Sequence, residues 1–406
     1  MQSRFKEMKQ LLAKSKYFKL VCGAGNENSE EVRKLTTVYT LGGANGFDVS
    51  AQPHIVEACV DGIDRAYVLA DELNINIPIR PFITVSVGMP GDHHVRKAFV
   101  EPEPCIECNL CIPACPTDAI PESLVIIRDL CIGCGDCEVV CPPKANAIKY
   151  EHNAKKLEEM LPLCLEAGAE NIELHAAVAA NDAIMKEWEV VCNAQQNHII
   201  SMCLDRNHLS NSHLIERIKN AHKIAGDRMI IQADGVPMSG GRDDYNTTLQ
   251  AIAIADVIQK NLIKKERAFW HLPLLLSGGT NSYTGKMAKM CDIKFGGVAI
   301  GTHARKIVKP FIEKENFDTD MMNLKKAVNV AKELVGDDNV FENIDPCMGG
   351  EDFSYMLNEK PGSYLYIGQQ DENHKAYLHT SKYDFNDNLL PVGVNFWVKL
   401  VNKFFE

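Results

Sequence analysis

Outside one cysteine-rich segment, short apolar runs alternate with longer stretches whose apolar residues recur at helical spacing. Lys19 to Gly23 is the first strand-like run, followed by a helical stretch from Glu30 to Leu41. Gly46 to Ser50 leads to a helix over His54 to Leu73, and Phe82 to Val87 is the third run. Beyond the cysteines the alternation resumes with a helix over Lys155 to Ala167 and a strand at Asn171 to His175. Three further pairs follow: Asp182 to Cys192 with His198 to Leu204, Ser212 to Ala225 with Met229 to Ala233, and Thr247 to Gln259 with Leu272 to Ser277. A short helix over Thr284 to Met290 precedes the last strand, Gly297 to Gly301. Strand–helix alternation implies a parallel sheet with helices packed outside it. Eight such units, less the insert, fill the roughly 250 residues of a TIM-like (β/α)8 barrel. An open doubly wound sheet is the alternative.

Composition narrows the class. At 406 residues the chain predicts two or three domains, and 46% apolar with 24% charged content is that of an ordinary soluble protein. No apolar run reaches the length of a membrane span. Met1 to Leu20 lacks the pattern of a signal peptide. A net charge of −11 argues against nucleic acid as a partner.

The cysteines carry the strongest chemical signal. Cys105, Cys108, Cys111 and Cys115 precede Pro116, and Cys131, Cys134, Cys137 and Cys141 precede Pro142. Each set reads C-x2-C-x2-C-x3-C-P, the spacing of ferredoxins with two 4Fe-4S clusters. Three closely spaced thiolates hold three corners of a cubane, and the fourth cysteine of each set reaches the other cluster. This assigns Cys105, Cys108, Cys111 and Cys141 to one cluster and Cys131, Cys134, Cys137 and Cys115 to the second. Asp118-Ala119-Ile120 and Asn146-Ala147-Ile148 close the two copies in the manner of ferredoxin domains. A single C-x2-C pair could serve zinc or thiol redox chemistry, but a tandem repeat fits neither. Cluster thiolates must escape disulfide pairing, so a reducing, cytoplasmic compartment is expected. Cys22, Cys59, Cys164, Cys192, Cys203, Cys291 and Cys347 lack ligand spacing and read as small buried hydrophobes.

The insert follows the third strand, on the barrel face where active sites lie. Polar residues gather at the strand ends of that face: Asp48, Glu173, His175, Asp205, Gln232 and Asp234. Some could simply cap helices or loops, and no catalytic residue is assigned. Ser277-Gly278-Gly279-Thr280 follows the seventh strand, and Gly301-Thr302 ends the eighth before a helix. Loops there frequently bind phosphate, and a helix N-terminus favours an anion. Gly278, Gly279, Gly301 and Thr302 are therefore the candidate phosphate cradle, unless the glycines only make tight turns. The arrangement resembles flavin-dependent barrel oxidoreductases such as the dihydroorotate dehydrogenase group, which implies FMN or another phosphate-bearing ligand.

From about residue 17 to 312 the chain resembles the light-dependent period modulator family, LdpA. The resemblance is carried by Phe18 to Ala24, Val95-Arg96-Lys97-Ala98, Glu173-Leu174-His175, Gln232-Ala233-Asp234-Gly235 and Gly296 to Thr302. It implies a cytoplasmic iron–sulfur protein that conveys light or redox state to circadian-clock input proteins, with a quinone or flavin as a possible small-molecule redox partner. From about 316 to 406 the chain instead resembles the end of a metal-dependent amidohydrolase of the aminoacylase and carboxypeptidase type. Met348-Gly349-Gly350-Glu351-Asp352-Phe353 and Leu378 to Phe385 carry this second resemblance, and Pro391-Val392-Gly393 fits its end. His379 falls on that family's last metal ligand.

The expected organisation is a barrel in two parts, 1–97 and 151–312, around a ferredoxin insert at 98–150. A C-terminal α/β fragment at 316–406 would be a gene fusion or relic, with a helix over Leu324 to Val335 and a strand at Tyr364 to Gly368. A dinuclear hydrolase needs several ligands. No upstream Cys-x-His is present, and Glu30-Glu31 and Glu158-Glu159 lie in barrel helices. Three functions compete: a redox sensor, a ferredoxin-linked FMN oxidoreductase, and an amidohydrolase.

Overall fold

The structure is a computed structural model. It describes residues 3–73, 75–88, 96–152, 156–176, 178–206, 209–235, 245–336, 374 and 383–405. The chain divides into two units, Met1–Val340 and Phe341–Glu406.

The first unit begins with helix α1 (Arg4–Ala13), strand β1 (Tyr17–Val21), helix α2 (Ser29–Leu41), β2 (Gly46–Ser50), α3 (Pro53–Leu73) and β3 (Phe82–Gly88). The insert contributes β4 (Arg96–Val100), short helices α4 (Cys111–Ala114) and α5 (Asp136–Val140), and β5 (Ile148–His152). The barrel resumes with α6 (Leu157–Glu166), β6 (Asn171–His175), α7 (Asn181–Ala194), β7 (Ile200–Leu204), α8 (Asn211–Ala225), β8 (Met229–Asp234), α9 (Tyr245–Ile258) and β9 (Leu274–Ser277). It ends with α10 (Thr284–Met290), β10 (Gly297–Ile300), α11 (Thr302–Ile312) and α12 (Met321–Val335).

The eight barrel strands close in the order β1-β10-β9-β8-β7-β6-β3-β2, all parallel. Closure pairs Lys19 with Ala299 on one side and with Gly46 on the other. The expected TIM-like barrel is therefore present, and the open sheet is not. Strands covered by helices outside and side chains inside are buried on both faces, and every residue of β2, β6 and β7 is buried. The first strand begins at Tyr17, two residues before the apolar run suggests, because its parallel partner β10 begins opposite it at Gly297.

Some helix entries are set by local polar chemistry. Asn28 accepts from the Glu31 amide at 3.0 Å and opens α2, and Ser210 accepts from the His213 amide to open α8.

The C-terminal boundary differs from the expected one near residue 316. Helix α12 belongs to the barrel layer, with Leu324, Ala327, Val328 and Ala331 in the main core. Asp320 caps it by accepting from the Asn323 amide at 2.9 Å, and Asn323 Nδ2 donates to Phe311 O at 2.8 Å. Arg33 on α2 holds Asp318 in a two-pronged pair at 2.7 and 3.0 Å. Apolar periodicity located this helix but could not say which core receives it. A chain ended near 315 is expected to be less stable, by several kcal/mol, than one ended after Gly336, which keeps α12. That estimate takes roughly 1.5–3 kcal/mol for each large apolar contact removed. Denaturant midpoints of the two truncations measure the difference; equal midpoints would contradict the placement of α12.

In the second unit, the described helix α13 (Leu389–Phe405) follows Asn386, whose carbonyl accepts from the Leu389 amide. His379, the Met348 to Phe353 signature and the expected strand at Tyr364 to Gly368 lie outside the described residues.

Candidate functional site

The insert leaves the barrel at the C-terminal end of β3, and its two strands pair antiparallel from Arg96↔His152 to Val100↔Ile148. Below them the eight motif cysteines divide between two cavities. One is lined by Cys131, Cys134, Cys137 and Cys115, together with Ala98, Ala119, Ile120 and Ile126. The other is lined by Cys105, Cys108, Cys111 and Cys141, together with Val100, Leu124, Ala147 and Ile148. In each, the fourth cysteine comes from the other sequence copy. Four sulfurs in an otherwise largely apolar cradle are a donor set suited to a cubane cluster.

The paired Ala-Ile endings acquire a role here. The Ala119 amide donates to Cys115 Sγ at 3.3 Å, and the Ala147 amide donates to Cys141 Sγ at 3.4 Å. Asp118 and Asn146, each just before its alanine, have φ of 53° and 44°. This left-handed turn, which Asp and Asn tolerate, aims the next amide back at the sulfur. Ile120 and Ile148 fill the small core beneath. The Ala98 amide reaches Cys131 Sγ at 3.4 Å. Hydrogen bonds to sulfur help set a cluster's potential. Burial pushes the Cys134 and Cys137 thiols up to about 12, so loading an ion there must release protons.

The two cavities stand differently to the barrel. Lys97, buried, donates to Gly25 O, to Arg128 O at 2.7 Å and to Cys131 O at 2.8 Å. The Glu27 amide donates to Asp129 O at 2.8 Å. Gly25 lets the loop after β1 approach, because a Cβ there would lie 3.1 Å from Cys131 O. The Cys131 cavity thus abuts the barrel loop, while Cys108 in the other cavity is exposed.

Inside the barrel, four of the six strand-end polar residues meet. Lys19 Nζ lies 3.1 Å from Asp48 Oδ2 and 2.7 Å from Glu173 Oε2, with all three buried. Gln232 Nε2 donates to Glu173 Oε1 at 2.7 Å, His175 Nε2 lies 3.7 Å from the same oxygen, and Ser86 donates to Asp48. Burial opposes ionisation of Lys19, but the Asp48 and Glu173 carboxylates outweigh it and hold the ammonium well above its ordinary range. Burial raises Asp48 despite the opposing pull of Lys19. Lys19 was not singled out from the sequence. Its signal was a lone lysine within the apolar strand Tyr17–Val21.

The other two strand-end residues are Asp205 and Asp234. Asp205 acts electrostatically on buried Arg217. That guanidinium donates to Ala176 O at 2.6 Å, Val178 O at 2.8 Å and Asn181 Oδ1 at 2.7 Å, shaping the loop after β6. Asp234 ends β8 beside Gly278.

Gly278 and Gly279 have φ of 68° and 67°. A Cβ on Gly278 would overlap the Gly235 backbone, so this glycine has a packing reason of its own. Gly278→Ala is expected to destabilise the barrel by about 1–3 kcal/mol through overpacking, read as a lower denaturant midpoint; an unchanged midpoint would refute the close approach. Gly301, at φ −108°, precedes α11. Thr302 lines a cavity of about 660 Å³ with Arg305, Lys306 and Lys309 on the barrel side and Pro116, Thr117 and Asp118 on the insert side. Arg305 pairs with Glu31 at 2.9 Å, and Lys309 pairs with Asp118.

Of the remaining cysteines, Cys22, Cys59, Cys164, Cys192 and Cys203 are buried as expected. Cys291 is exposed, contrary to that expectation, because it follows the last turn of α10. Cys347 lies outside the described residues. Among the described residues, no helix is long and apolar enough to cross a membrane.

Comparison with known proteins finds relatives for several stretches of the chain. Residues 163–337 match the light dependent period A C-terminal domain, and residues 98–120 and 124–148 match 4Fe-4S binding domains. Light dependent period A of Synechococcus elongatus is 29% identical over 341 residues, covering 79% of this chain and 90% of that protein. Hippurate hydrolase of Campylobacter jejuni is 36% identical over 180 residues, 40% of this chain and 46% of the enzyme. The YdjI aldolase of Escherichia coli K12 superposes with a TM-score of 0.40 at 8% identity, covering 82% of this chain and 94% of its own.

Proposed function

We propose that this chain, an iron–sulfur protein similar to light dependent period A, is a cytoplasmic redox sensor that conveys light or redox state to circadian-clock input proteins. One cluster is held by Cys105, Cys108, Cys111 and Cys141, and the other by Cys131, Cys134, Cys137 and Cys115. The observation that carries the redox reading is the division of the cysteines between two cavities, each drawing its fourth sulfur from the other copy. When bound, such clusters exchange single electrons. The chain's own residues orient them: Ala98, Ala119 and Ala147 donate amides to three of the sulfurs. Lys97 pins the Cys131 loop against the barrel, so Cys131, Cys134, Cys137 and Cys115 would hold a cluster beside the loop after the first strand, and Cys105, Cys108, Cys111 and Cys141 would hold one nearer the surface, where Cys108 is exposed. The clock role rests only on the likeness to light dependent period A. Anaerobic purification with iron, sulfide and flavin analysis tests the reading: about eight irons per chain, four for each cubane, and no flavin are expected. Absence of iron would refute it.

A second reading is a ferredoxin-linked flavin oxidoreductase. It would make Gly278, Gly279, Gly301 and Thr302 a phosphate site; of these, Thr302 lines the cavity shared with the insert, beside Arg305 and Lys306. Thermal protection by FMN would support it; failure of flavin nucleotides and sugar phosphates alike to protect would remove it. Amidohydrolase activity is not proposed. Zinc-dependent cleavage of acylated amino acids, abolished by His379→Ala, would overturn that judgement.

A further inference from the structure

The polar layer inside the barrel holds more ligand atoms than its ion pairs use. Glu173, His175 and Cys203 are all buried, and one ligand atom from each lies within 4.8 Å of the other two. They come from adjacent strands, since His175 stands opposite Cys203 and Cys203 opposite Gln232. Gln232 closes the group. Its Nε2 lies 2.7 Å from Glu173 Oε1 and 3.5 Å from Cys203 Sγ, while its Oε1 is buried without a hydrogen-bond partner. Ser201, the register partner of Glu173, likewise has a buried hydroxyl without a partner.

Buried polar atoms are normally satisfied, and an orphan needs a physical reason. Here an electropositive amide group sits between a carboxylate and a thiol, and its own oxygen is wasted. Turning the amide over exchanges the two atoms and offers Oε1 to whatever the carboxylate and sulfur hold. Charge points the same way. Glu173 and Asp48 face one cation, Lys19. A metal-bound Cys203 would be a thiolate. Lys19, Asp48, Glu173 and Cys203 together then carry three negative charges against one positive, and a divalent ion offsets that excess.

We infer that Glu173, His175 and Cys203, with Gln232 Oε1 as a fourth donor, bind one divalent transition-metal ion inside the barrel. A mixed oxygen, nitrogen and sulfur set selects zinc or iron(II) over magnesium or calcium. None of the eight motif cysteines takes part, so this site stands or falls apart from the clusters.

Cobalt(II) is the probe, added to cluster-loaded protein under anaerobic conditions and followed by desalting. The wild type should retain one cobalt per chain and show thiolate-to-cobalt absorption. Cys203→Ser should abolish that band, and His175→Gln should lower retained cobalt by about tenfold or more, in line with the sensitivity of metal sites to their ligand shells. Cluster absorption and a melting curve check that the variants fold. A cobalt-dependent rise in Tm, present in the wild type and absent from cluster-bearing variants, supports the site. No retention by the wild type, or equal retention or an equal rise in Tm in the variants, overturns it.

Discussion

Replacing Cys115 with alanine is expected to empty one cluster site and spare the other, although Cys115 lies in the first sequence copy. Its sulfur lines the cavity of Cys131, Cys134 and Cys137, with Ala119 donating to it at 3.3 Å. The variant should therefore keep about four of about eight irons, held by Cys105, Cys108, Cys111 and Cys141. Cys141→Ala should show the converse loss. Iron analysis and low-temperature spectra of the reduced proteins read this directly, because the two variants should retain different clusters. Loss of both clusters to the same degree from Cys115→Ala, or selective loss of the Cys105 cluster, would contradict crossed ligation.

Among single substitutions, the largest effect on stability should come from Lys19→Met. The change roughly preserves volume but leaves Asp48 and Glu173 buried without the cation now 3.1 and 2.7 Å from them. Removing one partner of a buried ion pair costs about 3–5 kcal/mol, whereas neutralising the whole group can be close to neutral. Lys19→Met should therefore lower the denaturant midpoint sharply. Combination with Asp48→Asn and Glu173→Gln should recover much of the loss. A single variant as stable as the wild type would mean that the carboxylates simply take up protons at little cost. No recovery in the triple variant would mean that packing by the Lys19 stem, not its charge, matters.

Local pattern was enough for the barrel and for the chemistry of the insert. A strand buried on both faces shows as an apolar run, and an amphipathic helix shows as a period near 3.6. Both are properties of neighbouring residues, which is why Gly46–Ser50, Asn171–His175 and Thr284–Met290 fall where the pattern puts them. The cysteine repeat is equally local, since three cluster corners lie within seven residues. The pairing of Arg96–Val100 with Ile148–His152 was not legible. Five-residue strands separated by 47 residues of loop and short helix leave no joint periodicity.

Contacts between distant residues required the tertiary structure. Lys19 and Glu173 are 154 residues apart and touch only because closure brings β1 and β6 to a shared interior. Sequence alone marked Glu173 as one polar strand end among six; the closed barrel gave it a cation, an amide and an imidazole. The same holds for α12, whose apolar face was visible but whose partner was not. Burial depends on what lies opposite a side chain in space, so the sequence by itself determined the barrel's strands and helices and the spacing of the cysteines. Only the fold decided which of them meet.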